Sequence, residues 1–255
     1  MQQEMAQSEV EPFSMINKQP VYFSEDWNTG IGGGLWSTGT AMARYFSRHS
    51  SSVQKCLQDK ETALELGSGN GYLSVCLLAA LMGEGEEKNK IRELVVTDVE
   101  DHLPLIEKTL KSNSALVRRF STVDSASKDS EHFSVSASEE NSDDTKVIVT
   151  EHKWGEFHGE KSSPVSKGKK FDFIFGSDLA YRDHLHRPLI KSLQEFSHDD
   201  TVALIGVTMN DTKPKFFTAL NDAGFRYERL ADHLMDAEFR GNTFGLIAIQ
   251  RRKRQ

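Results

Sequence analysis

The segment Ala63-Leu-Glu-Leu-Gly-Ser-Gly-Asn-Gly71-Tyr-Leu constrains this chain more than any other. A run with the composition of a buried strand passes into three glycines at alternate positions and then into a helix-forming stretch. Glycines let the backbone turn tightly and let a ligand approach amide groups near a helix N-terminus. Their spacing discriminates between ligands. A dinucleotide turn has the form G-x-G-x-x-G, its third glycine allowing close helix packing beside a pyrophosphate. Here Gly71 comes one position early and Tyr72 fills the slot that should be small. A nicotinamide oxidoreductase is therefore disfavoured.

Two acidic residues accompany the loop. Val95-Val-Thr-Asp98 places a carboxylate beyond the carboxyl edge of the next strand, where an acidic side chain can accept ribose hydroxyls of an adenosine. Glu65 lies inside the first strand, in a run that otherwise reads as buried, so it needs a partner. A positively charged ligand or the backbone amides of the loop would supply one. The plainer alternative makes the glycines a strand-to-helix turn, Asp98 a helix cap and Glu65 half of an internal salt bridge. Glu65, the loop and Asp98 together in one strand–helix–strand unit favour the ligand-binding reading.

Around this unit, strand-like runs at Thr62–Leu66, Leu94–Asp98, Lys146–Glu151, Phe171–Gly176, Val202–Val207 and Phe244–Gln250 alternate with amphipathic stretches. Helices are expected over Gly71–Met82, His102–Asn113, Leu185–Phe196 and Pro214–Ala223, the last closed by Gly224. Such alternation predicts an α/β fold with a parallel, doubly wound sheet covered on both faces. Phe225–Leu230 reads as one more strand, too close to Phe244–Gln250 for a crossover helix, so the C-terminal pair should be antiparallel.

Composition narrows the function. Lys and Arg number 31 against 38 Asp and Glu, a formal charge of −7, so nothing chain-wide favours a phosphate backbone. The longest apolar run, Leu73 to Met82, is about half of the roughly twenty residues a membrane helix needs. Two cysteines, Cys56 and Cys76, make no disulfide framework and point to a reducing compartment, cytoplasmic or also nuclear. Residues 1–26 read as a disordered or lead-in segment and 252–255 as a basic tail. That tail is either a nuclear address or a solvated chain end. Ser121–Thr145, dominated by Ser, Asp and Glu, lacks the apolar surface to offset its ordering entropy and reads as a flexible acidic insertion in a single domain spanning 27–251. Glu160–Lys170 reads as a second polar loop. His184-x-His186 lacks further ligands to complete a zinc site, so no metal is expected.

The loop and its acidic residue resemble the seven-stranded, S-adenosylmethionine-dependent methyltransferases, whose first motif is E-x-G-x-G-x-G. Gly34-Leu-Trp36, Trp154-Gly155 and Gly176-Ser-Asp178-Leu-Ala-Tyr181 narrow the likeness to protein-lysine methyltransferases of the methyltransferase-like 21 group, which Asp178-x-x-Tyr181 sets apart. The resemblance, over about Trp27 to Arg251, implies a Rossmann-like seven-stranded sheet with six strands parallel and one antiparallel at the C-terminal edge. It implies an S-adenosyl-L-methionine site lined by Trp36, Glu65, Gly67, Gly69, Gly71, Asp98, Trp154 and Ser177. Asp178 and Tyr181 would face the lysine as the catalytic pair. The expected partner is a protein bearing that lysine, with the enzyme a monomer and neither nucleic acid nor membrane involved. The long insertion and His152, where an aliphatic residue is common, depart from the group.

Four alternatives stand beside this expectation. The chain could methylate histidine, arginine or a small-molecule amine, or it could be an inactive cofactor-binding module. Asp178 could instead cap the helix over Leu185–Phe196, and Trp36 and Trp154 could be ordinary core residues.

Overall fold

The structure, a computed structural model, describes residues 11–82, 91–123, 144–157 and 163–253 of the 255-residue chain. It opens with a short antiparallel hairpin, β1 (Ser14–Ile16) and β2 (Gln19–Val21). Helices α1 (Ser37–Arg48) and α2 (Ser50–Leu57) follow. The main sheet is then built by β3 (Thr62–Glu65), β4 (Glu93–Asp98), β5 (Arg119–Val123), β6 (Lys146–Glu151), β7 (Phe171–Ser177), β8 (Ser197–Thr208), β9 (Phe225–Arg229) and β10 (Phe244–Arg251). Helices α3 (Tyr72–Leu81), α4 (Leu103–Ser112), α5 (His186–Phe196) and α6 (Met209–Asp222) connect them.

The sheet order is β5-β6-β4-β3-β7-β8-β10-β9. All pairings from β5 through β8 are parallel, while β10 runs antiparallel to both of its neighbours, β8 and β9. The α/β class and the antiparallel C-terminal pairing agree with the sequence reading, but the antiparallel strand β10 lies one position in from the expected edge, because β9 pairs on its outer side and runs with the parallel strands. The strand count also differs: β5 is an eighth strand, added in parallel outside β6. It takes in Ser121, Thr122 and Val123, which the composition had assigned to the acidic insertion. Phe120 explains the difference, because it is buried and anchors an otherwise polar segment to the sheet edge. Most of that expected insertion, 124–143, lies outside the described residues, as do parts of the lead-in (1–10), the second polar loop (160–162) and the tail (254–255).

The lead-in reading also changes. Ile16 and Val21 of the β1–β2 hairpin are buried in the core, and Phe13, Phe23 and Tyr72 meet in a cluster of rings. Asn113 fixes this segment from the side, accepting from Tyr22 N at 2.8 Å and donating to Tyr22 O at 2.7 Å.

Strand periodicity assigns the two faces of the sheet. Ala63, Leu94, Val96, Val147, Phe173 and Phe175 pack with α1–α4, whereas Leu64, Val95, Ile148, Ile174, Ala203 and Ile205 pack with α5 and α6. Every residue of α3 is buried, which accounts for its unbroken apolar run in a globular setting. Among the described residues no helix is long and apolar enough to cross a membrane. Helix α1 docks closely through glycines. A Cβ at Gly206 would lie 2.8 Å from Thr38 Oγ1, and one at Gly39 would lie 3.2 Å from Ser177 Oγ.

Candidate active site

The chain leaves β3 for β4 on one side and later returns to place β7 on the other. The carboxyl ends of these strands therefore open onto a crevice at the point where the order reverses, the usual ligand position in such sheets. A cleft of about 880 Å³ occupies it.

The glycine loop forms its floor. Gly67, Gly69 and Gly71 all take positive φ, at 62°, 66° and 80°, as the alternating glycines required. Ser68 N donates to Thr97 O at 2.9 Å, Gly69 N to Asp98 Oδ2 at 2.7 Å and Gly71 N to Ser68 Oγ at 3.1 Å. Gly67 also has a steric reason to be glycine, because a Cβ there would lie 2.7 Å from Trp154 Cζ2 and 2.9 Å from Leu179 Cδ2. Gly67→Ala is therefore expected to destabilise the fold by about 2 kcal/mol, combining left-handed strain with overpacking. Gly224, with φ 86° and nothing within 4 Å of its Cβ direction, is the control. Gly224→Ala should cost only the backbone part, about 1 kcal/mol in urea unfolding. Equal losses would show that the Trp154 contact relaxes freely.

Strand alternation turns Glu65 to the same face as Ala63, toward α3, and there it is only 1% exposed. Ser74, in the first turn of α3, donates to Glu65 Oε2, and Thr97 Oγ1 donates to the Glu65 carbonyl at 2.7 Å. Burial pushes its carboxyl up to about 7, against the lowering effect of hydroxyl bonds from Ser74 and Ser68. The expected partner was a cation or loop amides. The Ser74 and Ser68 hydroxyls and the Ser74 amide fill that place.

Of the residues the sequence marked, Trp36, Gly67, Gly69, Asp98, Trp154, Ser177, Asp178 and Tyr181 line the cleft together. Glu65 and Gly71 do not. Glu65 lies beneath the floor, and Gly71 turns the backbone into α3 against Ile106. Trp36 is 43% exposed, meets Trp27 edge-on at 5.7 Å and donates from Nε1 to Ile31 O at 2.9 Å, so it borders the cleft and is not a core tryptophan. Tyr181 stands at the mouth, 37% exposed, with the Arg182 guanidinium 5.9 Å from its ring centre.

Asp178 follows β7 in the left-handed region, φ 54°, which aspartate tolerates better than most residues. Its N–H is shared between Gly206 O at 2.9 Å and Thr38 Oγ1 at 3.0 Å. Its carboxyl faces the start of α1, where the Thr38 hydroxyl and the Thr38 and Gly39 amides favour the charged form, yet burial outweighs them and raises its pKa. It does not cap α5, whose N-cap is Leu185 with no side-chain bond. His184 and His186 diverge. His186 is buried with Nε2 3.0 Å from Ala180 O, and His184 is exposed on the cleft wall.

Sequence reading missed the strap from Gly30 to Gly34 and helix α1 behind it. A Cβ at Gly69 would lie 2.9 Å from Gly32 O, and Asn70 Nδ2 donates to Gly34 O at 2.8 Å, so the strap closes one side of the cleft. The glycine triplet 32–34 was the available signal. Helix α1 was legible in the spacing of Ala41, Met42, Tyr45 and Phe46, although Gly39 in its first turn argues against a helix there.

Solved structures of methyltransferases share this fold. The chain superposes on the glycopeptide N-methyltransferase MtfA complexed with sinefungin with a TM-score of 0.52 at 12% identity, over 89% of this chain and 95% of that one. It superposes on an O-methyltransferase family protein from Burkholderia thailandensis with a TM-score of 0.51 at 13% identity, over 84% of this chain and 58% of that one. At those identities the likeness concerns the fold. A family model described as lysine methyltransferase matches residues 16–129 and 124–223. The chain belongs to that lysine methyltransferase family.

Proposed function

We propose that this protein is an S-adenosylmethionine-dependent protein-lysine N-methyltransferase. The observation that carries the reading is that Asp178 and Tyr181 line the same cleft as the glycine loop and Asp98, in a chain of the lysine methyltransferase family. The residues present fit the cofactor. The Asp98 carboxylate has four acceptor positions and three donors, Gly69 N, Val99 N and His102 Nδ1, so one lone pair on Oδ2 stays open for a hydroxyl. Gly67 and Gly69 keep the floor free of side chains, and Trp36 and Trp154 supply aromatic surface for an adenine or a cation.

When bound, S-adenosylmethionine supplies an activated methyl group on a cationic sulfonium. The protein's share is mostly positioning. Asp178, a half-buried carboxylate at the cleft wall, draws in and orients the lysine ammonium. A free lysine amine at neutral pH costs about 4.6 kcal/mol from its usual pKa near 10.4, and a site poor in water lowers that cost. Tyr181 borders the entry, where its hydroxyl can accept from or donate to the amine.

Calorimetry should show S-adenosylmethionine and its demethylated product binding in the micromolar range, about −8 kcal/mol, with no saturable NAD signal. Asp98→Ala should weaken that binding by about 1.5–3 kcal/mol, the loss of a charge-assisted hydrogen bond. For the acceptor, purified protein, labelled cofactor and a lysate should yield a labelled protein whose digest carries methyl-lysine. Label on histidine, arginine or a small-molecule amine would overturn the lysine assignment.

A further inference from the structure

His102 has no assigned role, yet it touches both the strap and the residue expected to hold the cofactor. It ends the 3-10 turn Glu100–His102 just before α4, four residues after Asp98, a spacing that returns the side chain to the same side. Its Nδ1 lies 2.8 Å from Asp98 Oδ1, and both side chains are nearly enclosed, 13% and 12% exposed. The ring also lies against Gly32, where a Cβ would come within 2.6 Å of Nδ1 and Cε1 and 2.7 Å of Nε2. Gly32 in turn sits on Gly69. The ring is thus packed between the strap and Asp98, and only glycine at 32 leaves room for it.

We propose that His102 is a positioning residue of the cofactor site, holding Asp98 Oδ1 so that the open lone pair on Oδ2 faces the cleft. This rests on the cofactor reading above. With Val99 N also on Oδ1 at 2.7 Å and Gly69 N on Oδ2 at 2.7 Å, His102 completes a three-donor clamp that leaves the carboxylate a single rotamer. Remove the imidazole donor, and Oδ1 loses a charge-assisted bond while the carboxylate gains freedom to turn away. The Asp98 bond, followed by the Asp98 and Asp101 charges, draws the His102 pKa upward against the effect of burial, as that pairing requires.

The test is calorimetry of the full chain with S-adenosylhomocysteine. His102→Leu should weaken binding about tenfold, and His102→Asn, which keeps a donor at the position, should recover most of it. In an Asp98→Ala background His102→Leu should add nothing, since a residue acting through Asp98 has no effect once Asp98 is gone. His102→Phe keeps a flat ring against Gly32, carries the same expectation as leucine and covers the case in which leucine disturbs the fold. Unchanged affinity in His102→Leu and His102→Phe, or an equal loss in the Asp98→Ala background, would overturn the proposal while leaving the cofactor reading intact. Absence of binding by the unmodified chain would overturn the cofactor reading itself.

Discussion

Asp178→Asn is expected to lower protein methylation at least about a hundredfold, roughly 3 kcal/mol of transition-state stabilisation, with the fold retained. Asparagine keeps the shape and is at home in the left-handed backbone that residue 178 adopts, φ 54°, so the substitution removes charge and little else. The stability outcome has the opposite sign. Because burial raises the Asp178 pKa, the ionised carboxylate is less favourable in the folded chain than in the unfolded one. Its removal should leave the thermal midpoint unchanged or higher at pH 7. A site that lowers stability while the reaction needs it is the pattern expected of a functional carboxylate. Methylation of lysate protein, read beside circular dichroism melting and cofactor calorimetry, checks all three parts. Undiminished methylation would return the acceptor role to other residues, and a large fall in the melting midpoint would make Asp178 a structural cap of α1.

The second large effect concerns Glu65 and pH. Its folded pKa of about 7 stands above the ordinary value of 4.5, so the folded chain keeps a proton that the unfolded chain releases. Stability from this group is complete below about pH 4.5, declines as pH rises and is fully lost above about pH 7. At about 1.4 kcal/mol per pH unit across that window the loss is about 3 kcal/mol. Glu65→Gln has no proton to release and its carbonyl can still accept from Ser74, so its stability should be flatter between pH 5 and pH 8. Urea unfolding at both pH values measures the difference between the two proteins. Parallel pH dependences would mean that Glu65 is ionised in the folded state and that Ser74 and Ser68 stabilise it more than burial opposes it.

Much of this was written locally. Alternating glycines with Glu65 before them and Asp98 at the next strand end are short-range signals, and so is the β-branched and aliphatic composition of β3, β4, β6 and β7. Each follows from backbone conformation or period, which a few neighbouring residues decide. The resemblance carried by Asp178 and Tyr181 likewise needed only a short motif to mark them, and the cleft has both on its wall.

What the tertiary structure alone decided is who partners whom. Glu65 has its hydroxyl donor because the sheet turns it toward α3, nine residues on, and no local pattern announces that Ser74 will be there. Strand β5 exists because the edge of β6 offers unpaired backbone groups and Phe120 finds the core, although the sequence after it reads as a solvated loop. The β1–β2 hairpin is held by Tyr72 and Asn113, residues 58 and 91 positions from their bonding partners. His102 looks like an ordinary helix-start residue until folding brings Gly32 onto its ring. Local sequence fixes conformation through sterics and periodicity, whereas burial and hydrogen-bond partnership depend on chain segments far apart, and those appear only when the sheet assembles.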